Sequence, residues 1–353
     1  MDMQFPATAN RKIVLLLLLG TFTFLGCPSQ TKPELYIYCN ETFWYVMQEE
    51  ALFFNKIYGF QVFLVPVRSQ RTSDTTTEDS IAIDNLRRSP TPWRSMPRSQ
   101  ASNLATDSFI GINADIEQQI ERIAEASFGD LFLSDSQKHL DKLQKLALSA
   151  KEYPVCYLTL TMLVPKGNPL HIHSVKDALD SHRKLGIIDP SVDGLGEVSW
   201  NMLDKIVSGG ESPLSTERIR IYERQYDLLE ALEQDTIDAA LVWNATSQVN
   251  FLLVKYSDVY NKTHEKYIRD AERKKDHDQL RRILKAMYND LIDKKSFAEE
   301  VPLTENPEER SVIAVRLAAL GTASHDGYCK RFADFMRSKQ GKDVLKRFGF
   351  NPE

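Results

Sequence analysis

The sequence predicts an α/β protein built on doubly wound sheets. Short buried strands alternate with amphipathic helices along most of the 353 residues, the pattern of open parallel sheets covered by helices. A β-α-β unit, about the usual length of 30 or more residues, occupies residues 35–67. No P-loop occurs, and no GxGxxG motif follows a strand. The nucleotide-binding fingerprints of this fold class are therefore missing.

Composition and charge narrow the class of protein further. Hydrophobic residues make up 42% and charged residues 26% of the chain, which are the values of a globular protein. The length suggests two domains. The formal net charge of −5 makes binding to nucleic acid by charge a poor expectation.

The first 27 residues have the pattern of an export signal. Arg11 and Lys12 precede an apolar run at 13–24, which is shorter than the roughly 20 residues that a transmembrane helix needs. The sequence Phe-Leu-Gly-Cys at 24–27 resembles a bacterial lipobox, so we expect Cys27 to be lipidated and the protein to be a membrane-anchored lipoprotein of the periplasm or cell envelope. The alternative is an ordinary signal peptide with an incidental cysteine.

The remaining cysteines, Cys39, Cys156 and Cys329, leave two redox states open. One disulfide with one free thiol and three buried thiols are both compatible with the sequence.

The β-α-β unit opens the first predicted domain. Residues 35–39 are predicted to form a strand, 42–58 a helix ended by Gly59, and 61–67 a second strand. Residues 69–108 are rich in Ser, Thr and Pro, so we interpret them as a solvated insertion; a lid or partner-binding loop is the alternative. The pattern then continues with a helix at 114–126, a strand at 130–133, a helix at 135–148 and a strand at 155–165.

The second half of the chain repeats the alternation. Residues 258–300 are highly charged with helical spacing, and a late strand at 312–315 precedes one amphipathic helix at 328–348. This ending suggests that the chain returns to its first domain. The other predicted elements are helices at 175–181, 197–207 and 226–234 and strands at 185–188, 219–221 and 239–242.

Several stretches, in order along the chain, resemble the bacterial periplasmic molybdate-binding proteins, which are type II substrate-binding proteins of ABC importers. The ending at 332–350 is similar to that family's last helix and its Tyr-Gly-Phe. The other matching stretches are 35–38 leading into the helix at Thr42, 129–138 (the family's Ala-Asp-Leu-Phe-Ile-Ser-Ala-Asp-Gln), 163–169 (Val-Pro-Lys-Gly-Asn-Pro) and 188–190 with Gly196 (Gly-Asp-Pro and its following glycine).

The resemblance implies a two-lobed type II periplasmic-binding-protein fold, each lobe a doubly wound sheet, with the ligand cleft between the lobes. Lobe I would comprise 31–152 and 310–353, with the insert at about 70–113. Lobe II would comprise 153–309, with the charged insert at about 258–300. The partners implied are a small oxyanion such as molybdate or tungstate and an ABC permease. We expect a monomer that needs no cofactor.

Five positions fall on the oxyanion ligands of the resembled family. Thr42 and Ser69 would supply hydroxyl groups, and Leu195 and Gln225 would supply backbone amides. Trp243 replaces the ligand tyrosine, and its indole N–H can still donate. Helix N-termini and hydroxyl groups suit an oxyanion because they offer donors without a competing negative charge.

Two charged residues fall beside this predicted site. Arg68 would add a cationic fork or point to solvent. Asp193 would repel an anion unless it is protonated, paired with Arg68 or bound to the metal centre, as in archaeal relatives with extra carboxylate ligands. The alternative for Asp193 is a turn residue before Gly194.

Other functions have weaker support in the sequence. His171 and His173 form an HxH motif without a third ligand nearby, and no Gly-x-Ser-x-Gly elbow occurs. We therefore expect no enzyme activity. The alternative function is a lipoprotein that keeps the binding-protein fold but serves as a sensor or interaction module.

Overall fold

A computed structural model of the chain describes ten segments and, between 255 and 290, single positions and pairs of residues. The segments are 33–66, 120–121, 129–179, 182–191, 193–207, 218–245, 251–252, 295–303, 311–321 and 326–353. The predictions for Cys27, Arg68 and Ser69, for the insert at 70–113, for most of the helix at 114–126 and for most of 258–300 lie outside the described residues.

The N-terminal β-α-β unit forms as its hydrophobic pattern predicts. Gly59 ends its helix in the left-handed conformation (φ 72°), which glycine adopts without a Cβ penalty. The elements are β1 (Glu34–Cys39), a 3-10 turn (Glu41–Phe43), α1 (Trp44–Tyr58) and β2 (Gln61–Pro66), followed later by β3 (Leu131–Ser134) and α2 (Gln137–Lys145). Strand β1 lies between β2 and β3 and is parallel to both.

The longest strand, β4 (Ser149–Pro165), belongs to both halves of the sheet. The first half is formed by β1 to β3 and the two C-terminal strands, and the second half is formed by the strands between β4 and those two. Its residues from Ser149 to Thr159 pair with a late strand, and those from Leu160 onward pair with strands of the second half. The prediction started this strand at 155 and missed its beginning, where Lys151 and Glu152 interrupt the apolar pattern.

The second half alternates strands and helices around a central β5. Strand β5 is parallel to both β6 and β7, while β7 and β8 are antiparallel to β4. The elements are α3 (Val175–Ala178), β5 (Leu185–Ile188), α4 (Gly194–Val207), β6 (Ile219–Tyr222), α5 (Gln225–Glu233), β7 (Ala239–Trp243) and β8 (Ala298–Pro302).

The C-terminal segment returns to the first half, as the sequence suggested. Strand β9 (Val312–Leu320) lies between β3 and β4 and is antiparallel to both. The single helix predicted at 328–348 is wrong, because α6 (Asp326–Met336) and α7 (Lys339–Arg347) are separate helices. Ser338 accepts from the backbone N–H of Gly341 and begins the second one. A short strand, β10 (Asn351–Pro352), pairs with β4.

The ten strands that the structure describes form one mixed sheet in the order β2-β1-β3-β9-β4-β7-β5-β6, with β8 and β10 paired to β4. Aromatic rings of α1 and the C-terminal helices form part of the core: Phe54 packs 5.0 Å from Phe332 and 5.5 Å from Phe335, centroid to centroid. The segment Glu34–Glu353 forms one compact unit. The lobe boundaries at 152 and 309 stay predictions.

The structure distinguishes between the two redox states that the sequence left open for the cysteines. Cys39, Cys156 and Cys329 are buried free thiols, without a disulfide among them. None of the described helices combines the length and the hydropathy that crossing a membrane requires.

Candidate functional site

The candidate site lies where the carboxyl ends of parallel strands from both halves of the sheet meet. In open α/β sheets this edge carries ligand sites, because loops and helix N-termini converge there. Residues that follow or end five strands contribute: Thr42 after β1, Asp135 after β3, Asp193 after β5, Gln225 after β6 and Trp243 at the end of β7.

Thr42 and Gln225 join the two halves directly. The side-chain amide Nε2 of Gln225 donates to Oγ1 of Thr42 at 2.7 Å. Thr42 is 1% exposed and Gln225 5%, so water competes little for this bond. The resemblance implied a backbone amide at Gln225, whereas the bond described here uses its side chain.

Asp193 lies beside this pair and caps helix α4. Its Oδ1 accepts from the backbone N–H of Gly196 at 2.9 Å, and its Oδ2 is 3.4 Å from Nε2 of Gln225. Asp193 is therefore a turn residue, and its other carboxyl oxygen faces the pair formed by Thr42 and Gln225. Leu195 stands in the first turn of α4 with its side chain fully buried in the core, so only its backbone can serve the site.

Trp243 and Asp135 form the second bridge between the halves. The indole Nε1 of Trp243, itself 1% exposed, donates to Oδ2 of Asp135 at 2.9 Å. Asn40 Nδ2 lies 3.5 Å from Oδ1. Burial raises the pKa of Asp135 to about 6, although the hydrogen bonds from Trp243 and from backbone groups, including Gly194, act in the opposite direction.

Two glycines let helix α4 approach the site closely. A Cβ on Gly194 would lie 2.4 Å from the backbone oxygen of Asp135 and 3.0 Å from its Cγ. A Cβ on Gly196 would lie 2.3 Å from the backbone oxygen of Asp189. Any side chain at these two positions would clash with the backbone at these distances. Glycine at both positions therefore lets the N-terminus of α4 pack directly against Asp135 and Asp189.

The surrounding groups make this part of the site acidic. Glu197, in the first turn of α4, accepts from the hydroxyl of Ser136 at 3.4 Å and pairs with the exposed Lys138 at 3.6 Å. Its charge contributes to the raised pKa of Asp135.

The buried His139 lies 3.2 Å from Ser134 Oγ, and burial lowers its pKa to about 4, so this imidazole is neutral near pH 7.

The HxH motif is part of a loop with its own structural support. Asn168 braces the loop through two 2.9 Å bonds to the backbone of Ile172, while His171 and His173 are exposed. In the part of the chain that the structure describes, no three His, Cys, Asp or Glu side chains are grouped to bind a metal ion.

Asp135 is the residue that the sequence analysis did not single out. The run 129–138 was compared with a pattern in which an alanine stands at the position of Asp135. That departure was the available signal, since a carboxylate directly after a buried strand lies at the carboxyl edge of the sheet. Of the predicted ligands, Thr42, Leu195, Gln225 and Trp243 lie around the same edge, as does Asp193; Ser69 and Arg68 are not described.

Comparison with known proteins gives a family-level match. A family model described as bacterial extracellular solute-binding protein matches residues 112–351. Among curated proteins, none matches the chain.

Solved structures with the same fold bind different solutes. The Azotobacter vinelandii periplasmic molybdate-binding protein is similar with a TM-score of 0.51 at 11% identity, covering 90% of this chain and 98% of that one. The sulfate-binding protein SubI from Mycobacterium tuberculosis has a TM-score of 0.53 at 13% identity, covering 91% and 87%. Iron-bound HitA from Pseudomonas aeruginosa has a TM-score of 0.52 at 15% identity, covering 91% and 86%. These likenesses establish the α/β fold of the type II periplasmic binding proteins and leave the solute open.

Proposed function

Because the chain belongs to the bacterial extracellular solute-binding proteins, we propose that it captures a small oxyanion outside the cytoplasm and delivers it to the permease of an ABC importer. Molybdate and tungstate are the oxyanions that the sequence resemblance implies. In this proposal the protein binds and releases its solute without breaking a covalent bond.

The observation that carries the proposal is the 2.7 Å bond from Gln225 to Thr42, because it brings neutral hydrogen-bonding side chains from both halves of the sheet to one point. The N-termini of α4 and α5 and the indole N–H of Trp243 lie around the same edge. Donors of this kind stabilise negatively charged oxygen. We expect an oxygen of the solute to reach these donors near the position of the Asp135 carboxylate, which accepts from Trp243.

Capture would work as a shift in population. A solute that contacts groups from both halves stabilises the closed arrangement over an open one, and the permease would recognise the closed form. A lipid on Cys27 would keep the protein at the membrane surface, close to that permease.

Thermal unfolding with added anions tests the proposal. Molybdate, tungstate, sulfate and phosphate are each titrated against the full chain, and a binding anion raises Tm by linkage, by an amount that grows with its concentration over Kd. We expect the double variant Thr42→Ala with Ser69→Ala to lose this increase.

Thr236→Ala is the matched control, because its hydroxyl bonds the backbone of Ala231 at the opposite end of α5. This variant should keep the full anion-induced increase. An absence of response to every anion in the wild-type chain would overturn the proposal, and an unchanged increase in the double variant would remove Thr42 and Ser69 from the site.

A second candidate function has one observation in its favour. The donors of Gln225 and Trp243 are already paired with acceptors of the chain itself, Thr42 and Asp135. A self-satisfied site suits a lipoprotein that keeps the fold as a sensor or interaction module. The same titration separates the two functions, since such a module would not respond to oxyanions.

A further inference from the structure

The carboxylate of Asp135 occupies the donors that the proposed solute would use. Its oxygens accept from Nε1 of Trp243 at 2.9 Å and from the backbone of Gly194 in the first turn of α4, and Asn40 Nδ2 lies 3.5 Å away. These are the indole N–H and the helix N-terminus on which the oxyanion site rests. A solute must therefore share these donors with Asp135 or displace it.

The carboxylate has little freedom to leave. The closest contacts of a hypothetical Cβ on Gly194 are with Asp135 itself, at 2.4 Å from its backbone oxygen and 3.0 Å from Cγ, so the residue is wedged against α4. Asp135 is 5% exposed. A solute at this edge of the sheet would consequently lie in contact with the carboxyl group.

An ionised carboxylate is a hydrogen-bond acceptor only. Sulfate and molybdate are fully ionised near neutral pH and can also only accept hydrogen bonds. Neither could form a hydrogen bond with the Asp135 carboxylate, and its negative charge would repel both. Hydrogen phosphate retains a proton and can donate it to the carboxylate. Leaving a buried polar group unpaired costs far more than a small misfit in shape.

We propose that Asp135 is the specificity-determining residue of the site and that it selects an oxyanion carrying a proton, of the phosphate class, over fully ionised sulfate and molybdate. This inference rests on the proposed function, because it names the class of oxyanion for that same site. In this role the carboxyl group of Asp135 favours binding, because one proton is shared between it and the bound anion.

The surrounding charges agree with this role. Burial raises the pKa of Asp135 to about 6, so at pH 7.5 the carboxyl group is mostly ionised and can accept a hydrogen bond from the proton of hydrogen phosphate. The titratable and charged groups around the carboxyl are Asp193 and Glu197 at the start of α4, Lys138 and the neutral His139 on α2, and Cys156 on β4.

Titration calorimetry on the full chain at pH 7.5 tests the inference with inorganic phosphate, sulfate and molybdate as probes. We expect phosphate to bind about tenfold or more tightly than sulfate or molybdate. Asp135→Asn, whose amide can donate to a fully ionised oxyanion, should weaken phosphate binding and strengthen sulfate binding. Asp141→Asn, on the exposed face of α2, is the matched control and should keep the wild-type ratio.

A second measurement needs no variant. Sulfate does not titrate between pH 5 and 8, so its affinity should rise as pH falls through about 6, where Asp135 gains its proton. Sulfate or molybdate binding as tightly as phosphate at pH 7.5, with no change in Asp135→Asn, would overturn the inference and leave the proposed function standing. A lack of binding by all three anions would instead overturn the proposed function, and the inference with it.

Discussion

At the scale of single residues, the molecule holds buried carboxyl groups in two different ways. Asp135 is paired with neutral donors at the candidate site. Glu50 on α1 is 0% exposed, and neither of its carboxyl oxygens has a hydrogen-bond partner among the residues that the structure describes. Burial, followed by the neighbouring Glu49, raises the pKa of Glu50 well above its ordinary value, against a smaller opposite effect of Arg347.

Replacing Glu50 should therefore stabilise the protein in a pH-dependent way. A raised folded-state pKa means that the stability associated with this group is complete below its ordinary pKa and is lost as the pH rises toward the folded value. We expect Glu50→Gln to raise Tm by at least about 2 °C at pH 8 and to have little effect at pH 4. Thermal unfolding by circular dichroism across this range measures the difference.

Glu299→Gln, at an exposed position of β8, is the control and should change Tm little at either pH. A Glu50→Gln variant less stable than the wild type at pH 8 would show that the carboxylate is paired and ionised in solution.

At the scale of elements, helix ends decide what the apolar pattern cannot. The amphipathic pattern of 328–348 continues across the break between α6 and α7, yet Ser338 has extended backbone and caps the second helix. The two helices also approach closely at Gly341, where a Cβ would lie 2.5 Å from the backbone oxygens of Phe335 and Met336. The chain bends here because a capping serine and a glycine without side-chain bulk permit it.

Removing this cap should cost stability. Ser338→Ala leaves the N–H of Gly341 without its side-chain acceptor, now at 3.3 Å, and we expect a loss of about 1 kcal/mol in the free energy of unfolding. Ser338→Asp restores an acceptor and should recover most of that loss. Urea unfolding of the three proteins measures both effects, and equal stability of the alanine variant would show that water replaces the cap.

At the scale of the whole molecule, one strand makes the two halves of the sheet interdependent. Strand β4 pairs with β9 and β10 in the first half and with β7 and β8 in the second. The side chains of Thr42 and Gln225, and of Asp135 and Trp243, add two hydrogen bonds between the halves. Loss of either half would leave the backbone groups of β4 unpaired.

We accordingly expect the chain to unfold in a single thermal transition. Calorimetry should give one peak with a calorimetric enthalpy close to the van't Hoff value. Two resolved peaks would show that the halves unfold independently and that β4 remains paired in one of them.

The sequence by itself determined most of the order of strands and helices and the return of the chain to its first half. These follow from local burial patterns, which repeat every two or about 3.6 residues along the chain. The solute-binding class of fold came from the resemblance of several stretches to the molybdate-binding proteins. Thr42, Gln225 and Trp243 could also be selected, because each falls on a ligand position of the resembled family.

Only the tertiary structure decided which of these ends meet. The contacts of Thr42 with Gln225 and of Asp135 with Trp243 link residues 183 and 108 positions apart, and they depend on strand order and on the close approach that Gly194 permits. Periodicity reports which face of an element is buried, but it carries no information about the partner across the site. For that reason the pairing of Asp135 with Trp243 became visible only when the two halves of the sheet were seen together.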